Sequence, residues 1–174
     1  FGFMPFYPGP GIGGHCIPID PLYLSYKAKQ EGIKMQLIET SFKINYSTTK
    51  RISGTILSKI KNKKPRVLIL GIAYKKNIDD VRESPALKVI KDLKSNGALV
   101  DYHDPYIKIL PENRNFFIEM KSKNLNTKMI KKYDAIFVCT DHDIINYKMI
   151  YKHAKKIFDS RNVFKNLSKK IIRV

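Results

Sequence analysis

The stretch Pro8-Gly9-Pro10-Gly11-Ile12-Gly13-Gly14-His15-Cys16-Ile17-Pro18-Ile19-Asp20-Pro21 sets a thiol, an imidazole and a carboxylate behind a run of glycines. A cysteine attacks a carbonyl carbon through its thiolate, and a nearby carboxylate can direct water onto the product of that attack. The ordinary thiol pKa is roughly 8.5, so the reaction needs positive potential near the sulfur, which loop amides or a helix N-terminus supply. Neighbouring side chains usually point apart, so His15 is not assigned as the base for Cys16. The opposing account, a buried structural cysteine, suits an apolar element better than this loop. Asp20 before Pro21 also has two readings. It can cap the N-terminus of a helix or serve as a positioned carboxylate, and the residues leave both open.

Gly9, Gly11 and Gly14 satisfy G-x-G-x-x-G, but that fingerprint binds a dinucleotide only between a strand and a helix. Phe6-Tyr7-Pro8 before it and His15-Cys16-Ile17-Pro18 after it provide neither. The glycines can still bring backbone amides close to a ligand or an oxyanion, or simply form a tight loop. Further along, Gly71-Ile72-Ala73-Tyr74-Lys75-Lys76 follows an apolar run, the place where a doubly wound sheet meets its ligand. Lys75 there could neutralise a phosphate and Tyr74 could stack on a base; a solvated loop is the plainer account. Arg82 stands before a helix start, itself an anion site, and reads either as a phosphate ligand or as a partner of Glu83 or Asp80. Cys139-Thr140-Asp141-His142 offers one thiol and one imidazole, too few for a zinc site. It is read as a strand-end turn, and no metal is expected.

Positioning these groups requires a frame, and the apolar pattern supplies one. Residues 1–19 read as loop. Asp20-Pro21 opens a helix that stops at Gly32, and a longer helix fits 35–61, with Ile38, Phe42, Ile52, Ile56 and Ile60 on one stripe. Val67-Leu68-Ile69-Leu70, Ala98–Tyr102, Ala135–Cys139 and Lys156–Asp159 read as four strands. The first is a continuous apolar run of the kind buried in parallel sheets, and the third is read as buried too. Helices are expected from Ser84-Pro85 to about Asn96-Gly97, over 124–131 and over 143–154, with 106–123 irregular. Strands alternating with helices imply an α/β fold with a Rossmann-like parallel sheet, preceded by a helical segment. The expected division is 1–62 and 63–174, at the basic run before Pro65.

The totals exclude some classes. No apolar run approaches the roughly 20 residues of a membrane span, and no basic-then-apolar leader appears. Two cysteines without such a leader read as reduced and cytoplasmic. The net charge of +18 raises the possibility of nucleic acid as partner. However, its lysines are dispersed and arginine, the usual reader of bases and phosphates, is scarce, so no nucleic-acid partner is expected. A chain opening on Phe1 reads as a piece of a longer protein.

Phe6 to Pro21 resembles the active-site segment of the UDP-glucose/GDP-mannose dehydrogenase family. Gly71 to Lys76, Asp80, Arg82-Glu83-Ser84 and Asp104-Pro105 resemble the UDP-binding domain of the same family in order and spacing. His15 before the cysteine and Ile19 before the aspartate are similar to the N-acetylhexosamine branch, and the lead-in is most similar to UDP-N-acetylglucosamine 6-dehydrogenases. The resemblance implies oxidation of a sugar C6 alcohol to a carboxylate with two NAD+, for surface polysaccharide synthesis. It implies Cys16 as the nucleophile forming a thiohemiacetal and then a thioester, and Asp20 acting on the hydrolytic water. It further implies Tyr7, Gly13, Tyr74 and Lys75 at the UDP-sugar, Arg82 toward the cofactor, and a homodimer through the 35–61 helix. The family's N-terminal NAD domain has no counterpart in these residues. The expectation is therefore that residues 1–174 alone do not turn over and retain at most weak UDP-sugar affinity. The competing expectation is a non-catalytic nucleotide-binding or oligomerisation module.

Overall fold

A computed structural model describes residues 2, 5–111, 119–165 and 168–174. Five parallel strands form one sheet in the order β2-β1-β3-β4-β5. They are β1 (Arg66–Leu70), β2 (Leu99–His103), β3 (Ala135–Val138), β4 (Ile157–Asp159) and β5 (Ile171–Arg173). Side chains alternate across a strand, so β1 sends Val67 and Ile69 into one buried cluster and Leu68 and Leu70 into another. With both faces covered, an unbroken apolar run becomes the right code for a central strand.

One face is covered by α2 (Gln36–Ser58) and α3 (Pro85–Ser95), the other by α4 (Thr127–Ile130) and α5 (Tyr147–His153). The last turns of α2 belong to the sheet core, where Ile52 and Ile56 are fully buried. Truncating either to alanine would cost about 2–5 kcal/mol. The first turns of α2 and most of α1 (Asp20–Gln30) are instead solvent-facing. Leu37 is 82% exposed, Ile44 63% and Tyr23 70%. α1 ends as expected at Gly32, whose φ of 77° reverses the chain so that Ile33 N–H reaches the Ala28 carbonyl at 2.9 Å.

Several expectations shift. Asp20 does not cap α1. It is the first helical residue, Ile19 holds the cap position, and no side chain satisfies the cap. The Cys16 carbonyl already accepts the amides of Ile19 at 3.0 Å and Asp20 at 2.8 Å, so the helical turn begins one residue earlier. The carboxylate still lies in the first turn, where the helix dipole favours it. Ser84 does cap α3, accepting from Ala86 N–H at 3.3 Å. The helix expected over 143–154 is confined to α5, because Asn146 caps it by accepting from Met149 N–H at 3.0 Å. β5 was not expected at all. The irregular reading of 106–123 meets a bridge between Ile109 and Lys121; residues 112–118, like Phe1 and Met4, lie outside the described residues.

Candidate active site

The loop that carries Cys16 is held against the carboxyl ends of the sheet strands. Gly14 N–H donates to the Arg82 carbonyl at 2.9 Å, and Ile12 N–H donates to Asn45 Oδ1 on α2 at 3.0 Å. Gly13 and Gly14 lie against Tyr74: a β-carbon at Gly14 would meet the tyrosine ring at 3.0 Å, and the φ of +90° there is one that side chains resist. At the loop's other end, Gly9 sits against the Arg161 guanidinium, which itself donates through Nε to the Cys139 carbonyl at 2.8 Å. The segment after β1, the start of α3 and the turn after β4 thus converge on one loop.

This convergence brings Gly13 and Tyr74 into contact and puts Lys75 on the adjoining turn. Cys16 and Asp20 are exposed at the start of α1, one helical turn apart through the bond from Asp20 N–H to the Cys16 carbonyl. Cys16 is close enough to Arg82, and His15 to Asp80, for their charges to be felt. Tyr7 is exposed and stands within electrostatic range of Lys76. The glycine trio occupies a loop with neither a strand before it nor a helix directly after it.

Three arrangements bear on residues named from the sequence. The first is the pair of adjacent lysines. Lys76 pairs with Asp143 at 3.0 Å, whereas Lys75 is exposed and has no salt-bridge partner among the described residues. The second is Arg82. Its Nε and Nη2 grip the Asp80 carboxylate at 2.9 and 2.5 Å; this bond holds the carboxyl below its usual range and raises the guanidinium. Glu83 pairs with Lys88 instead, at 3.6 Å. The third is the choice of thiol. Cys139 is fully buried, and that burial pushes its thiol up to about 12, while Cys16 faces solvent.

Sequence reasoning did not single out Asn45 and Arg161; it took His142 only as part of a strand-end turn and did not see Asp104 as a hub. Asp104 is fully buried at the end of β2. Its Oδ2 accepts the amides of Ile72 at 2.7 Å and Ala73 at 3.2 Å. Burial pushes this carboxyl up, but the donors from His142 and the amides outweigh it and hold it below the usual range. The signal available was an aspartate directly after a strand.

A nicotinamide dinucleotide finds no cradle in the described residues. In a doubly wound sheet its pyrophosphate takes the amides that follow the first strand. Here those of Ile72 and Ala73 are already spent on Asp104, and the glycine trio lies outside any strand-helix junction.

Comparison with known proteins covers both parts of the chain. The UDP-binding domain of the UDP-glucose/GDP-mannose dehydrogenase family matches residues 68–166, and the family's central domain matches 1–47. A UDP-N-acetyl-D-mannosamine dehydrogenase of Methanococcus maripaludis is 33% identical over 172 residues, covering 91% of this chain and 37% of the relative. A UDP-N-acetyl-D-glucosamine 6-dehydrogenase of Salmonella typhi is 32% identical over 151 residues, covering 82% and 33%. The structure of a UDP-D-ManNAc dehydrogenase from Pyrococcus horikoshii superposes with a TM-score of 0.76 at 30% identity, over 97% of this chain and 39% of that one. The chain therefore spans under two fifths of each of these three proteins. It belongs to the UDP-glucose/GDP-mannose dehydrogenase family.

Proposed function

We propose that this chain forms the thiol-bearing and UDP-sugar-binding part of an NAD-dependent UDP-N-acetylhexosamine 6-dehydrogenase. The observation that carries the reading is the docking of the Cys16 loop on the Tyr74 turn through Gly13 and Gly14. It puts an exposed thiol, a first-turn carboxylate and a lysine with no salt-bridge partner among the described residues at one end of the sheet. On this reading Tyr7, Gly13, Tyr74 and Lys75 contact the UDP-sugar, and Arg82, steadied by Asp80, turns its remaining edge toward the cofactor. Cys16 Sγ adds to the C6 aldehyde carbon while the carbonyl oxygen takes a proton. After oxidation to the thioester, water oriented by Asp20 adds to the same carbon and the sulfur leaves as thiolate. Hydride acceptance is the chemistry NAD supplies, and it is assigned to no residue of this chain.

Residues 1–62 serve as the thiol-bearing helical unit and 63–174 as the UDP-sugar domain. A homodimer through the 35–61 helix belongs to the same reading, supported by the exposed Leu37 and Ile44. Among the described residues no helix is long and apolar enough to cross a membrane, and two free thiols fit a reducing cytoplasm. The lead-in to the loop favours the gluco epimer, whereas relatives named for mannosamine and for glucosamine both match. The substrate is therefore proposed as the N-acetylhexosamine class.

The test offers UDP-N-acetylglucosamine, UDP-N-acetylmannosamine and UDP-glucose, each with NAD+. The enzymes compared are one joining residues 1–174 to a dinucleotide-binding domain and residues 1–174 alone. Uronic acid from an N-acetylhexosamine by the first, none by the second, and none after Cys16→Ser are expected. Acid formation that survives Cys16→Ser would exclude the thioester route, and NADH produced by residues 1–174 alone would exclude the division of labour.

A further inference from the structure

The turn that follows β1 is pinned at both ends by a buried pair drawn from two other strand ends. Asp104, just past β2, and His142, past β3, are both closed to solvent and meet at 3.1 Å between Oδ2 and Nε2. Besides Ile72 and Ala73, Asp104 accepts the amides of Tyr106 at 2.9 Å and Ile107 at 3.1 Å through Oδ1. His142 Nδ1 accepts the amide of Asn77 at 2.9 Å. That amide can only donate, so Nδ1 carries no proton, and Nε2 carries the one it donates to Asp104. The carboxylate thus holds the turn where it leaves β1, and the imidazole holds it where it ends.

Between the two anchors lie Tyr74, Lys75 and Lys76. Asn77 adopts a φ of 62°, the left-handed conformation that asparagine reaches more readily than other side chains. Its side chain is locked to Asp143, donating through Nδ2 at 2.6 Å and accepting through Oδ1 at 3.0 Å.

We propose that Asp104 and His142 are positioning residues, which together fix the turn that carries Tyr74 to the Cys16 loop and Lys75 to the diphosphate of a nucleotide. The proposal rests on the reading of Lys75 as a nucleotide contact given above. Neither residue touches the ligand. Asp104 satisfies the amides of Ile72 and Ala73, which would otherwise be buried without partners, and His142 satisfies the part-buried amide of Asn77; removing one partner of a buried set is costly because the others remain unpaired.

Four variants test this against the wild-type protein: His142→Ala removes the second anchor, His142→Asn keeps an acceptor near the position of Nδ1, Asp104→Asn keeps the shape without the charge, and Ile150→Ala thins the core on α5. Two quantities are read: amide hydrogen exchange at Ile72, Ala73 and Asn77, and the dissociation constant for UDP by calorimetry. His142→Ala should accelerate exchange at Asn77 at least tenfold while Phe137 in β3 stays protected, and should weaken UDP binding at least tenfold. His142→Asn should recover most of both, and Ile150→Ala should leave the UDP constant within about twofold. Unchanged exchange at Asn77, or equal loss of UDP binding in Ile150→Ala, would overturn the positioning role. If His142→Ala does not fold, Asp104→Asn carries the same readouts at Ile72 and Ala73. A wild-type protein that does not bind UDP would sink the functional reading, and the exchange rates would still decide whether the pair holds the turn.

Discussion

Gly13 and Tyr74 approach so closely that a β-carbon on the glycine would stand 2.6 Å from Cβ of the tyrosine and 3.1 Å from the Glu83 carbonyl oxygen. Both obstacles lie on or next to the backbone, so neither can swing aside. Gly13→Ala should displace the Cys16 loop while the sheet, which does not depend on it, stays folded. Uronic acid formation by the complete enzyme should fall at least tenfold, about 1.4 kcal/mol of lost transition-state stabilisation. Thermal unfolding by circular dichroism should change little. Full activity in Gly13→Ala would show that the contact does not position the thiol.

The two lysines of the turn should separate cleanly. Lys75→Ala should raise the UDP-sugar KM roughly tenfold, in line with loss of one charge-assisted phosphate contact. Lys76→Ala removes an exposed ion pair with Asp143, of a kind that contributes little, and should leave KM within about threefold. Equal effects in steady-state kinetics would contradict the assignment.

Exposure predicts which sulfur reacts. Iodoacetamide at neutral pH should modify Cys16 and spare Cys139, whose thiol is buried and titrates at about 12. Peptide mass spectrometry after brief labelling reads this directly, and labelling at Cys139 before Cys16 would contradict the burial described.

Asp104 gives a pH dependence of definite sign. Its carboxyl titrates below the usual range when folded, against about 3.9 in an unfolded chain. A depressed folded pKa adds stability that is complete above the unfolded value and is lost as the pH falls through the folded one. Denaturant unfolding should therefore show Asp104→Asn less stable than wild type by a constant margin above about pH 5, with the gap closing below about pH 4. Carboxylates common to both proteins cancel in the difference. A gap that widens on acidification would reverse the assignment of charge.

How much of this was legible depended on range. Val67–Leu70 and Ala135–Val138 were readable because a strand buried on both faces writes its burial as an unbroken apolar run. Ser84-Pro85 was readable because a cap is a local bond. Of the two readings of Asp20, the cap fails because the Cys16 carbonyl, four residues back, takes the amide that would mark the boundary. β5 escaped notice because three residues beside a lysine pair carry too short a pattern. Within the site, Cys16, Tyr74 and Lys75 stood out by type and place, yet the partners of Lys76 and Arg82 were not decidable from spacing. Asp143 lies far along the chain from Lys76, and Asp80 competes with Glu83 at similar distance from Arg82. His142 and Arg161 lay hidden for the same reason: their meaning comes from strand ends that only the parallel sheet brings together.

The bond from Gly14 to Arg82 and the seat of Gly9 on Arg161 also set an order of events during synthesis. A ribosome extends a chain by roughly 5–20 residues per second, and the N-terminal parts emerge first. The thiol loop therefore reaches the cell on the order of ten seconds before the turn after β4 exists to clasp it. For that interval the segment that carries Cys16 lacks its clasp. The loop is made before its seat, and its place against the sheet is fixed only when the turn after β4 has been translated.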